Sequence, residues 1–235
     1  MLPFKEIINK HMGLIGKVVD FDPTADQLLP FDFTANNTEL DLPTLSDTHR
    51  FSAWVDKKLA KNHARYGIGG YNEHRTIYSR STHFDQGEEP RRLHLGVDIW
   101  GAAGTPVYNF YHAKVHSFRF NNNFGDYGAT IILQYQFDEL TFYALYGHLD
   151  LNSLQHLYEG MTIPKGKAFA CFGKPAENGQ WPPHLHLQLI LDMHDLKGDY
   201  PGVCQFSKRD AYLQNCPDPA LILTQTFASA LPQNS

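Results

Sequence analysis

The sequence predicts a mainly β protein: an antiparallel β-sandwich or barrel-like core, carrying an N-terminal segment with one or two helices. Three observations predict it. From Arg92 onward, short segments that alternate or run apolar, rich in β-branched and aromatic residues, follow one another closely. Turn signals such as GAAG, NNNFGDYG and KGK separate them. Helical periodicity, by contrast, is concentrated in the first 90 residues.

In order along the chain, KEIINKHMGLIGKVV places Ile7, Ile8, Met12 and Leu14 at helical spacing. PTADQLLPFDFTANNTELDLPTL is rich in Pro, Asp and Asn and reads as loop. RFSAWVDKKLAKNHARYG repeats apolar residues at Phe51, Trp54, Val55 and Leu59, and Ser46 or Asp47 precedes it as a helix cap. Tyr66 to His83 reads as mixed turn and short strand. The strands then follow as LHLGVDIW, TPVYNFY, KVHSFRF, ATIILQYQF and LTFYALYGHL, and later as HLHLQLI. SKRDAYLQNCPDPALIL allows one short helix before the CPDP turn. We therefore divide the chain into residues 1–90, a helix and loop extension packing on the core, and residues 91–235, a β domain with a C-terminal extension.

Composition narrows the function. A length of 235 residues with 42% hydrophobic content is enough for a sizeable core. The net charge of -5 argues against a general nucleic-acid binder. No run approaches the ~20 apolar residues of a membrane span, and no signal peptide follows Lys5 and Lys10. The expected location is the cytoplasm, with the periplasm or cell envelope as the alternative. Three cysteines, Cys171, Cys204 and Cys216, are too few for a disulfide framework. They read as free thiols, with a Cys204–Cys216 bridge as the other option.

Three histidine groups stand out among the 13 histidines. His94 and Asp98 supply an imidazole and a carboxylate, both zinc-ligand types. On a flat strand they would lie ~13 Å apart, so both reach one ion only if the chain bends, which Gly96 allows. His184 and His186 share one strand face, ~6.6 Å apart, with Leu185, Leu187 and Leu189 on the other. That spacing suits one ligand beside one catalytic group. His148 ends an apolar strand at Tyr146-Gly147-His148, where side chains meet a cleft.

Together, His94-x-Gly96-x-Asp98, Gly104-Thr-Pro-Val107, Tyr146-Gly-His-Leu149 and His184-Leu-His186 resemble, in order and spacing, the lysostaphin-type (LytM-like) zinc metallopeptidases. Many of these cut peptide cross-links in bacterial cell walls. The resemblance spans about residues 92–192. It implies a duplicated hybrid-motif β core with the site in a groove across a sheet. It also implies Zn2+ held by His94, Asp98 and His186, with His148 and His184 as the two non-ligand active-site histidines. Three protein ligands leave one tetrahedral position open, as in catalytic zinc sites. Tyr146, Trp181 and Asn109, adjoining these motifs, are the candidates for contact with substrate. The implied partner is a peptide or peptidoglycan-like substrate.

The sequence departs from the family pattern at Gln188, where glutamate is common. It also departs at Trp181-Pro182-Pro183, where a small, Gly-containing approach is usual, and at Asn109, where a small residue is typical. AGTPV, YGATIIL, YGHL, NGQWPPHLHLQ and CPDP more narrowly resemble a peptidase-like module of large bacterial proteins, lying beside class III aminotransferase domains. The N-terminal segment could fold over the groove, with Asn36, Asn37 or Asp41 able to touch a metal. Rival readings are a small-substrate amidase or peptidase in the cytoplasm, a catalytically idle zinc-binding regulatory module, and a two-histidine phosphocarrier. The last has no use for Asp98, since a carboxylate beside an anionic phosphoryl group is unfavourable.

Overall fold

The alternating segments after Arg92 do build strands, and one strand, Leu28–Phe31, also forms where loop was expected. The computed structural model describes residues 3–85 and 87–231. Helices α1 (Phe4–His11), α2 (Leu42–Ser46) and α3 (Thr48–Lys61) and strands β1 (Leu28–Phe31) and β2 (Tyr66–Gly69) come first. Strands β3 (Leu93–His94), β4 (Val97–Trp100), β5 (Pro106–Tyr108), β6 (Ala113–Asn121), β7 (Gly128–Phe137) and β8 (Leu140–Leu149) follow. Then come β9 (Thr162–Ile163), β10 (Ala168–Cys171), β11 (His184–Ile190) and β12 (Val203–Cys204), and finally helices α4 (Arg209–Asn215) and α5 (Ala220–Phe227).

Eight strands form one sheet in the order β1-β2-β4-β11-β8-β7-β6-β9, and β10-β5 and β12-β3 form two small ribbons. The sheet is mixed, because β1 and β2 pair in parallel while the other pairs run antiparallel. It is an open sheet: β1 and β9 stand at opposite edges, so the barrel alternative is corrected to an open layer.

Period-2 alternation gives the sheet two faces. One carries Val97, Ile99, Ile131, Leu133, Phe142, Ala144, Leu185, Leu187 and Leu189, covered by α1, α5 and residues of β5 and β10. Leu185, Leu187 and Leu189 are fully buried, so truncating any of them to alanine costs about 2–5 kcal/mol. The opposite face carries Asp98, Trp100, His184, His186 and Gln188, also buried. It is not a solvent face.

The N-terminal segment builds part of that second layer. In α3, Phe51 and Val55 are buried and pack with Phe33, Trp100 and Trp181 in one aromatic cluster. Asp47 caps α3 by accepting from the His49 and Arg50 amides (2.9 and 3.0 Å). Pro30 lies inside β1, a position proline tolerates because β1 is an edge strand. The helix expected before CPDP is α4, and α5 adds Ile222, Leu223 and Phe227 to the core. All three cysteines are free thiols. Among the described residues, no helix is long and apolar enough to cross a membrane.

Candidate metal centre

His186 and Asp98 meet because β11 and β4 are antiparallel neighbours that place them directly opposite each other. His94 reaches them because the chain leaves the sheet just before β4. β3 pairs with β12 instead, with His94 opposite Val203. Gly96 sits at this bend with no positive φ. Its requirement is close packing: a Cβ there would lie 2.6 Å from Cε1 of His186.

His94 Nε2 lies 3.0 Å from His186 Nδ1, and His186 Nδ1 lies 3.0 Å from Asp98 Oδ1. The third side of the triangle, His94 Nε2 to Asp98 Oδ1, is 3.3 Å. All three residues are buried. The hydrogen bonds of the outer ring atoms assign the tautomers. His94 Nδ1–H donates to the Gly70 carbonyl (2.9 Å), and His186 Nε2–H donates to Gln188 Oε1 (3.0 Å). Two imidazole lone pairs and one carboxylate oxygen therefore converge, an arrangement that a cation stabilises. Zinc fits it, because bonds of ~2.0–2.2 Å in a tetrahedral arrangement separate ligand atoms by ~3.3 Å.

Asp98 Oδ2 accepts from Nη1 of Arg75, which is fully buried. Burial opposes ionisation of Asp98, but its interactions with His94 and with the Arg75 guanidinium outweigh it and hold the carboxyl well below its usual range. Burial, reinforced by the Arg75 charge, pushes His94 down to about 4. His94 is thus a neutral imidazole, and Asp98 an ionised carboxylate, at neutral pH.

His184 and His148 stand beside this triangle, their ring centroids 4.1 Å apart. His184 Nδ1–H donates to the Pro182 carbonyl (2.7 Å), and its ring stacks on Trp100 at 3.9 Å. His148 Nδ1–H donates to the Asn178 carbonyl (2.8 Å). Each therefore keeps Nε2 as its lone-pair nitrogen. Burial pushes His184 down to about 4 and His148 well below the usual histidine value, so both are neutral at pH 7. His148 has φ 62°, and the β7–β8 register shifts between Ala129 and Ile131. This bulge breaks the strand alternation and turns His148 to the cleft face.

Asp98, His148, His184 and His186 border a cleft of about 320 Å³ with aromatic walls that include Tyr78, Phe84, Tyr127 and Trp181. Trp181 lines this cleft. Tyr146 and Asn109 are not at the cleft. The same bulge leaves Tyr146 on the opposite face, fully buried. There Tyr135 Oη–H donates to Asn109 Oδ1 (2.7 Å) and pairs with Tyr146 Oη (2.6 Å), while Asn109 Nδ2 donates to the Ile163 carbonyl (2.6 Å). These two residues form a core polar network, a correction to their expected contact with substrate. Of the N-terminal candidates, Asn37 donates to the Asp32 carbonyl and Asp41 caps α2, while Asn36 is exposed.

Three groups at the site were not singled out by the sequence. Arg75 is one, the Gly70 carbonyl another. Tyr127, the third, lies in a stretch that reads only as a turn. Its ring stands 5.2 Å from that of His186, and its hydroxyl donates to Gln188 Oε1 (3.4 Å).

The fold is thus an open mainly β layer bearing a buried His–Asp–His triangle that could hold a metal ion. Residues 92–197 match Peptidase family M23. No curated protein matches the chain. Among solved structures, it is similar to a zinc-containing peptidase from Vibrio cholerae, with 24% identity over 42% of this chain and 27% of that one (TM-score 0.34). It is similar to the catalytic domain of the antimicrobial peptidase lysostaphin from Staphylococcus simulans, with 18% identity over 68% and 96% (TM-score 0.38). A mutant catalytic domain of the prophage-encoded M23 protein EnpA from Enterococcus faecalis gives 19% over 47% and 79% (TM-score 0.35). The chain spans 27% to 43% of the length of several structures it matches.

Proposed function

We propose that the chain is a zinc-dependent hydrolase of peptide bonds, with peptidoglycan-like cross-links as its simplest substrate. The observation that carries this reading is the convergence of His94, Asp98 and His186 beside two neutral, lone-pair-bearing imidazoles. His94 Nε2, Asp98 Oδ1 and His186 Nδ1 would hold the ion. Zinc held there supplies Lewis acidity, which activates water and polarises a carbonyl.

The remaining chemistry belongs to the chain. His148 and His184 are neutral, and each is locked by a backbone carbonyl at Nδ1. Nε2 of either can take a proton from the attacking water. The imidazolium so formed can return the proton to the leaving amine or stabilise the developing oxyanion. Their low proton affinity makes that return favourable. Trp100 fixes the plane of His184 by stacking. Tyr78, Phe84 and Trp181 would exclude water from the cleft and hold apolar parts of a substrate.

The walled cleft also favours a second reading, an amidase or peptidase on a small substrate. Turnover on cross-linked wall peptides and on small peptide amides separates the two, and with them the envelope and cytoplasmic locations.

The test of the common core uses zinc stoichiometry and hydrolysis together. Asp98→Ala should lose zinc. His184→Ala should keep zinc and lose about 10²–10⁴-fold in hydrolysis. Full zinc occupancy in Asp98→Ala, or undiminished hydrolysis in His184→Ala, would refute the assignment.

A further inference from the structure

We infer that Arg75 is a positioning residue of the metal centre, and that the N-terminal segment is a built-in part of that centre rather than a detachable cover. The inference rests on the zinc reading above. A ligand is held in place through the atom it does not give to the metal. For His186 that restraint comes from its own strand, through Gln188, whose Nε2 is fixed in turn by the Pro201 carbonyl (3.1 Å). For His94 it is the Gly70 carbonyl, and for Asp98 it is Arg75. Two of the three restraints thus come from residues 70–75, outside the segment that matches the family.

Arg75 is fitted to this task. Its Nε donates to Glu73 Oε2 (2.6 Å), Nη1 to Asp98 Oδ2 and the Tyr78 hydroxyl (3.3 Å), and Nη2 to the Gly70 carbonyl (3.3 Å). Gly69 pairs with Asp98 across β2 and β4, and a Cβ on Gly69 would lie 2.6 Å from Nη2. The glycine opposite the carboxylate therefore makes the slot for the guanidinium. With Oδ2 committed to Arg75, only Oδ1 faces His94 and His186. Arg75 thereby enforces one-oxygen ligation, and the Gly70 carbonyl ties the same loop to the His94 ring. A single charge without the fork could not hold Glu73, Asp98 and Gly70 together.

The experiment compares the full chain with Arg75→Met and Arg75→Lys. The readouts are zinc Kd by chelator competition, the visible spectrum of the Co2+ form, and the melting curve. Arg75→Met should weaken zinc binding about 10–100-fold. Its Co2+ absorption should fall in intensity as the freed carboxylate adds a second oxygen. Arg75→Lys should restore only part of either signal. Arg75→Met with a Kd within about threefold of the unaltered chain, far inside the range for such contacts, and an unchanged Co2+ spectrum would overturn the inference. If Arg75→Met does not fold, Arg75→Lys decides: unaltered Kd and spectrum there would overturn it equally. Failure of the unaltered chain to bind zinc would instead remove the metal-centre reading, and this inference with it.

Discussion

Gly96→Ala adds one methyl group behind a metal-ligand ring. The new carbon would sit 2.6 Å from His186 Cε1, 2.7 Å from Nε2 and 2.7 Å from the Leu187 carbonyl oxygen. Ordinary contact begins near 3.4 Å, so each neighbour must retreat by 0.7–0.8 Å. The carbonyl is held by β11, which is paired on both sides with β4 and β8. The ring is held by Gln188 at one nitrogen and faces Asp98 with the other. Neither can yield cheaply, and over-packing of this kind costs about 1–3 kcal/mol. For a chain of this length the melting temperature should fall by roughly 2–12 °C. Circular dichroism melts of the zinc-free chain measure it, and zinc titration should show weakened affinity from the displaced ring. A melting temperature within about 1 °C of the unaltered chain, below the smallest expected shift, would refute the packing role of Gly96.

Two further outcomes follow from the buried polar groups. Burial holds His94 and His184 near 4 in the folded chain, while an unfolded histidine takes a proton near 6.5. Between those values the unfolded state binds more protons, so stability is full above 6.5 and falls as pH drops. Urea unfolding of the zinc-free chain should lose roughly 2–3 kcal/mol between pH 6 and 5 from these two groups, and a constant midpoint from pH 7 to 5 would contradict it. Tyr135→Phe leaves Asn109 Oδ1 and the Tyr146 hydroxyl short of a partner, costing about 1–3 kcal/mol. Its KM should not change, and a raised KM with unchanged stability would return Asn109 and Tyr146 to the substrate.

The grouping of His94, Asp98 and His186 was legible through the four ordered motifs of the resemblance, and local spacing supplied only part of it. His184 and His186 share a face by period-2 geometry alone, and the bend between His94 and Asp98 was marked by a glycine. Tyr146 was misplaced because it was chosen for adjoining a motif, and the bulge that puts it and His148 on opposite faces is one that no spacing reveals. Arg75 was invisible for another reason. Its partner Asp98 is 23 residues away, and only the pairing of β2 with β4 brings them together. Strand β1 was hidden by Pro30, which reads as a breaker until its edge position is known. Helix α5 was hidden because ALIL is as apolar as a buried strand.

The pairing of β2 with β4 also bears on how the chain could be cut. A fragment beginning at residue 92 would keep His94, His148, His184 and His186 and lose Tyr66–Gly69. Val97–Trp100 would then become an open margin of the sheet, its amides and carbonyls unpaired on one side. Val97 and Ile99 would lie on that margin with part of their cover gone. Such a margin is a template for adding a strand from another molecule. The excised fragment would be prone to self-association and aggregation, and its insolubility would carry no information about its chemistry.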